Sequence, residues 1–289
     1  MWRWCLLGVG LVAGCVTFES GTGVRERMVS TPPAQPAPVL LGAAVERGDL
    51  RIGGLGSAAA WQSGHDARPP NEGARQAPGP AGGGWVGVGL GNDAEVAATV
   101  AVSAPGRGEH LPFTPRRATS QRYGLEVRDV ADLSQFVVQW HLGVRVYRIP
   151  YTWDAGDCFE VDGACLAWDR KAGPVSGTAW RPGAQVGFTY WHDVGHGIAL
   201  LGGAQVELLP AMNTADRANF QCNSLGQCEL GQHPSFFGTS LAVSPDLYLG
   251  ALWDPLPWLG VRVVVTPWSG PHDGPSQWLA TQVSLEIRP

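Results

Sequence analysis

Between Gln135 and Tyr147 the chain switches character at every step. Phe136, Val138, Trp140, Leu142, Val144 and Val146 occupy the even positions, while Gln135, Gln139, His141, Gly143, Arg145 and Tyr147 take the odd ones. Val137 is the one aliphatic exception. A period of two belongs to a β-strand whose two faces meet unlike surroundings. The same period recurs where Leu259, Val261, Val263 and Val265 alternate with Gly260, Arg262 and Thr266, with Val264 as the exception. It recurs again in Leu279, Val283, Leu285 and Ile287 against Gln282, Ser284, Glu286 and Arg288, and in Tyr123, Leu125 and Val127 against Arg122, Glu126 and Arg128. Weaker versions run through 85–90, 94–103, 184–192, 198–209 and 239–253. One further strand, or two short ones, is expected within 39–61. Helical periodicity is nowhere sustained, so the chain is expected to be all-β.

The connections order these strands. Short turns are expected near Gly91-Asn92-Asp93, Ala131–Ser134, Val194–His196 and Asp254–Pro257. Long polar segments are expected at Gln62–Gly82, Ala104–Ser120, Tyr151–Gly183, Pro210–Gly238 and Ser269–Pro275. Long and short alternate along the chain. This predicts an antiparallel up-and-down β-barrel of about ten strands, with the long segments at one end and both chain ends at the other. Gly87, Gly89, Gly143, Gly187 and Gly260 fall on the polar face. In a soluble sheet they would weaken strands and pack nothing. In a narrow lumen they make room for long side chains. Trp253 and Trp258 flank a short turn and Trp268 and Trp278 a long one, where interfacial girdles place tryptophan. Over residues 48–289 this pattern resembles small outer-membrane β-barrels. Such barrels commonly finish on an aromatic residue, whereas Glu286-Ile287-Arg288-Pro289 closes this chain. Alternation alone also fits a soluble β-barrel or β-sandwich with its faces exchanged, so that alternative stays open.

The amino-terminal residues add a location. Leu11-Val12-Ala13-Gly14-Cys15 ends a short apolar run from Cys5 to Ala13 behind Arg3, the layout of a secretory signal. The run is far shorter than the ~20 residues a membrane helix needs. The segment resembles the lipobox of bacterial lipoproteins. That resemblance covers residues 1–15 and implies cleavage before Cys15 and acylation of it. Val16 rather than Asp at the next position suggests, within that family, export to the outer membrane. The expected organisation is a lipoprotein signal peptide over 1–14, lipidated Cys15 with a flexible tether over 15–38, and a β-barrel domain over 39–289. The expected partner is membrane lipid, met through acylated Cys15 and the barrel exterior. A formal net charge of -5 and a single lysine, Lys171, give no field for nucleic acid.

Four cysteines remain beyond the signal and Cys15: Cys158, Cys165, Cys222 and Cys228. In an exported chain they read as two disulfides, with local pairs favoured because each brackets a short loop. Neither pair has the spacing of a zinc knuckle. His192, Asp193 and His196 are weak metal candidates, because a tight turn separates the two imidazoles. Asp154, Asp157, Glu160 and Asp162 read as loop acids around a closed turn. There is no Gly-x-Ser-x-Gly, no phosphate-binding glycine loop and no His-Glu-x-x-His. Glu126, Arg128, Arg145, Glu207, Arg262 and Glu286 are expected to pair with one another on the polar face. No catalytic residue and no cofactor is expected. The leading reading is a lipid-anchored outer-membrane barrel with disulfide-stapled loops and a structural or partner-binding role. The alternatives are a soluble β-domain lipoprotein, tethered in the periplasm or at the cell surface, that binds a ligand or protein, and a membrane-embedded hydrolase.

Overall fold

The computed structural model describes residues 24–30, 46–63, 78–105, 119–133, 136–161, 164–210, 220–222, 228–230, 241–268 and 276–288. In chain order the strands are β1 (Val24–Ser30), β2 (Leu50–Ser63), β3 (Pro78–Gly91), β4 (Ala94–Pro105), β5 (Ser120–Asp132), β6 (Val137–Val161), β7 (Ala164–Gly195), β8 (Ile198–Pro210), β9 (Phe220–Cys222), β10 (Cys228–Leu230), β11 (Leu241–Leu256), β12 (Leu259–Trp268) and β13 (Ser276–Ile287). Ten of them form a closed antiparallel barrel: β2 to β8 in sequence, then β11, β12 and β13, with β13 returning to β2. The stretch 39–61 contributes one wall strand, β2. Closure leaves the wall no free edge.

The tight turns gather at one end. At the first of them Asn92 and Asp93 both adopt positive φ (54° and 65°), a conformation Asn and Asp tolerate better than most residues. Leu50 and Ile287 lie at this same end, joined through the β2–β13 and β2–β3 registers. The long connections leave from the opposite end.

Two segments differ from expectation. The residues 151–183 form no long loop. Strands β6 and β7 continue through them as one paired hairpin, from Arg148↔Trp180 out to Val161↔Ala164. The wall partners stop lower down, β5 at Gln121↔Arg148 and β8 at Ala184↔Leu208, so the hairpin projects beyond the long-loop end. Second, the span read as a tether contains β1, which pairs antiparallel with the projecting part of β6 from Val24↔Asp157 to Ser30↔Tyr151. It continues the edge that β5 leaves free. The amino-terminal side of the chain therefore passes the long-loop end, not only the tight-turn end where it was expected. Cys15 lies outside the described residues.

Burial settles which face is which. Leu142, Val144 and Leu249 point outward and are 62%, 63% and 64% exposed, with Val86, Leu125, Leu200 and Leu285 also outward. Glu95, Arg128, Gln139 and Glu207 face the lumen and are fully buried. The soluble alternative requires the reverse, apolar side chains within and polar ones outside, and this barrel is built the other way. The two exceptions to alternation have a local reason. Val264, with Val137 packed beside it, joins Val130, Trp191, Ala199, Leu201, Tyr248 and Leu252 in a small apolar cluster inside the lumen.

Candidate functional site

The lumen is occupied by a charge ladder. On β5, residues 122, 126 and 128 share the inward face, so one strand supplies Arg122, Glu126 and Arg128 to the interior. Glu126 Oε2 accepts from Arg128 Nη2 at 2.9 Å and Nε at 3.2 Å, while its Oε1 accepts from Arg145 Nη2 at 2.7 Å. One carboxylate thus holds two guanidiniums. Arg128 continues to Glu95 on β4 at 3.7 Å and stacks over Trp85, 5.2 Å from the ring centroid. In the other direction Arg145 Nε lies 3.7 Å from Glu207 Oε1, and Arg122 Nη1 donates to the same oxygen at 3.2 Å. The Tyr147 hydroxyl also donates to Glu207.

Glu207 stands on β8, two strands from β6, and β7 lies between. The contact exists because β7 is hollow there. A Cβ on Gly183 would sit 2.6 Å from the Tyr147 ring, and one on Gly187 would sit 2.6 Å from His141 Nε2. The same logic applies at Gly143, whose Cβ would lie 2.8 Å from Glu126 Cγ, and at Gly87, whose Cβ would collide with the Glu95 carboxylate. The lumen glycines are therefore the sockets of the ladder.

A second group sits nearer the tight-turn end. Glu286 on β13 pairs with Arg262 on β12, with Arg51 on β2 at 3.6 Å and with Arg288 at 2.7 Å, and Arg288 reaches Asp254 at 3.0 Å. A third, uncharged for the most part, crosses β7, β8 and β11. Gln185 donates to Gln205 at 2.6 Å, Gln205 to Asp246 at 2.8 Å, and Thr189 and Tyr248 share a hydroxyl contact of 2.6 Å. Among the described residues, the buried arginines 51, 122, 128, 145 and 262 are matched in number by Glu95, Glu126, Glu207, Asp246 and Glu286. Their formal charges balance, and long side chains occupy the described interior.

The expected pairing of Glu126, Arg128, Arg145, Glu207, Arg262 and Glu286 is what the interior contains. Arg51, Glu95, Asp246, Trp85 and Tyr248 complete it and were not singled out from the sequence. For Trp85 the signal was present in the outward Val86, Val88 and Leu90, which place residues 85, 87 and 89 inward. His192, Asp193 and His196 lie exposed at the β7–β8 turn, where Asp193 Oδ1 accepts from the Gly195 amide at 2.7 Å. Among the described residues no three potential ligands gather around a metal position. The backbone of the cysteines is described: Cys222 stands directly opposite Cys228 in the β9–β10 pair. Cys165 stands opposite Glu160, two residues along β6 from Cys158.

No family model matches this chain, and no curated protein matches it. Solved structures give loose likenesses in shape. LpxR from Salmonella typhimurium has a TM-score of 0.37 at 8% identity, covering 82% of this chain and 99% of its own. The Pseudomonas putida toluene transporter TodX has a TM-score of 0.28 at 7% identity, covering 83% and 88%. The transport unit of the autotransporter AIDA-I from Escherichia coli has a TM-score of 0.27 at 10% identity, covering 86% and 93%.

Removing one partner of a buried ion pair costs ~3–5 kcal/mol because the other charge is stranded. Glu126→Ala leaves Arg128 and Arg145 with only their 3.7 Å contacts to Glu95 and Glu207, so urea unfolding of the folded protein is expected to shift by about that amount. Replacing exposed Asp129 on the same strand by Ala should change stability by less than ~0.5 kcal/mol. Equal shifts for the two variants would show that the ladder does not hold the interior together.

Proposed function

We propose that this chain is a barrel of the bacterial outer membrane, anchored additionally by lipid on Cys15, with its lumen closed and its role carried by the long-loop end. The observation that carries the reading is the inversion of burial: hydrocarbon-compatible side chains ring the outside and charges fill the inside. In water that arrangement would expose an apolar band over the whole barrel, far beyond the few hundred Å² a soluble monomer usually presents. In a bilayer it is the favourable one. A ten-stranded wall leaves a lumen that side chains can fill, and here they do. Bulk diffusion through it is not part of the reading. The projecting β6–β7 hairpin and the long connections then become the surfaces that meet other molecules, a structural or partner-binding role rather than catalysis. The position of β1 beside the outer part of β6 favours the outer leaflet for the lipid on Cys15. A Cys222–Cys228 disulfide across β9–β10 belongs to the same reading, supported by their opposed register.

Insertion is tested with the signal removed and Cys15→Ser, so that no acyl chain contributes. The protein should stay aggregated or detergent-dependent in water. After folding into vesicles it should migrate faster on gels unheated than heated. Val144→Arg, on the outward face, should destabilise the inserted protein by ~2–4 kcal/mol. A monomer that remains in the aqueous fraction without detergent overturns the proposal.

The covalent features have separate tests. In cells fed labelled palmitate, the full chain should take up label and the Cys15→Ser form should not. Maleimide should reach Cys222 and Cys228 only after reduction; free reaction without reductant would remove the disulfide from the account.

A further inference from the structure

One cation stands on the hydrocarbon side of the wall. Arg148 follows Leu142, Val144 and Val146 on the outward face of β6, and it is the first charged residue above them. The register places it directly between Gln121 of β5 and Trp180 of β7, in one row across three strands. Tyr123, one outward position below Gln121, donates its hydroxyl to Gln121 Oε1 at 2.9 Å. Its ring stacks on Trp180 with centroids 6.1 Å apart and planes 25° from parallel. Below the row the outward face is apolar on all three strands: Leu125 and Val127, Val144 and Val146, Val186 and Phe188. Among the described residues no carboxylate pairs with Arg148, although every buried arginine of the lumen has one.

We propose that Gln121, Tyr123, Arg148 and Trp180 form a headgroup site for an anionic lipid of the outer leaflet, with the Arg148 guanidinium on its phosphate. The inference rests on the membrane reading above. The site occupies the edge of the apolar band at the long-loop end. An outward arginine there costs little, whereas the same residue at mid-bilayer costs several-fold more. A guanidinium presents paired donors that match two phosphate oxygens, and among the described residues no carboxylate competes for them. The Tyr123–Trp180 stack has the amphipathic character of an interfacial belt, lying along the first methylenes with its polar edges at headgroup level. Gln121 supplies an amide beside the cation for a neighbouring ester or hydroxyl.

The full chain, folded in a neutral detergent, is titrated with phosphatidylglycerol and separately with phosphatidylcholine, and bound lipid is counted by native mass spectrometry. The wild type should retain phosphatidylglycerol in clear preference. Arg148→Gln should lower that retention about fivefold, the factor that one interfacial cation contributes, and should leave phosphatidylcholine unaffected. Arg148→Lys should keep most of the preference. Equal retention of the two lipids by the wild type, or unchanged phosphatidylglycerol retention in Arg148→Gln, overturns the site. Heat-dependent migration of the same samples separates the two readings. A folded, vesicle-inserting barrel without headgroup preference loses only this site. A protein that needs no detergent loses both.

Discussion

Glu126 is the contact on which the interior depends. Its two oxygens hold Arg128 and Arg145, and through them the ladder extends to Glu95 in one direction and to Glu207 in the other. Charges taken out of water are tolerated only when their partners are fixed around them. Here the partners come from β4, β5, β6 and β8, so the ladder fixes strand positions as well as charges. A slip of β5 by one residue would turn Arg122, Glu126 and Arg128 outward together and bring Tyr123, Leu125 and Val127 in. Register and electrostatics therefore enforce each other.

The ladder in turn needs glycine. Ten strands enclose too little space for long side chains from every wall position. Gly87, Gly143, Gly183 and Gly187 surrender their own volume to Glu95, Glu126, Tyr147 and His141. Glycine in a strand is usually a weakness. In this wall the weakness is offset by interstrand bonding around a closed ring and by the contacts each vacancy admits. Trp85 does for Arg128 what a carboxylate could do only with another buried charge: it offers a π face at no cost in net charge.

Most of this architecture was legible in the sequence because period two and the turn positions are local signals. Gln135–Tyr147 declared both faces of β6, and the tight turns at 91–93 and 194–196 fixed the hairpins. What alternation could not declare was the sign of the inside, since lipid and a dry core sort residues alike. Only the burial of Arg128 and Glu207 against the exposure of Leu142 and Val144 distinguished them. The outer β6–β7 hairpin was misread as a loop because its sequence keeps no regular alternation: Trp153, Phe159 and Trp168 fall irregularly among Asp154, Asp157, Asp169 and several glycines. Strand β1 was hidden for the same reason: Val24–Ser30 carries Arg25, Glu26 and Arg27 in succession, and its pairing with Tyr151–Asp157 is long-range. Individual ladder bonds were also beyond reach, because Glu207 meets Arg122 across 85 residues of sequence.

A filled lumen has a consequence for where function can reside. Five buried arginines matched in number by five buried acids, together with long polar side chains, occupy the described interior. Among the described residues, the features added to the ten-stranded wall lie toward the long-loop end. They are the projecting β6–β7 hairpin, the β1 strand added to its edge, and the outward row of Gln121, Arg148 and Trp180 at its base. The row sits where β5 stops, just beyond the last β7–β8 pair, and the hairpin goes on with β1 at its edge, so that base is where the wall and the projection meet. A headgroup held at Arg148 would fix the hairpin's root relative to the membrane plane. The charge at position 148 would then act on how the hairpin is presented, and not on the strength of the barrel beneath it.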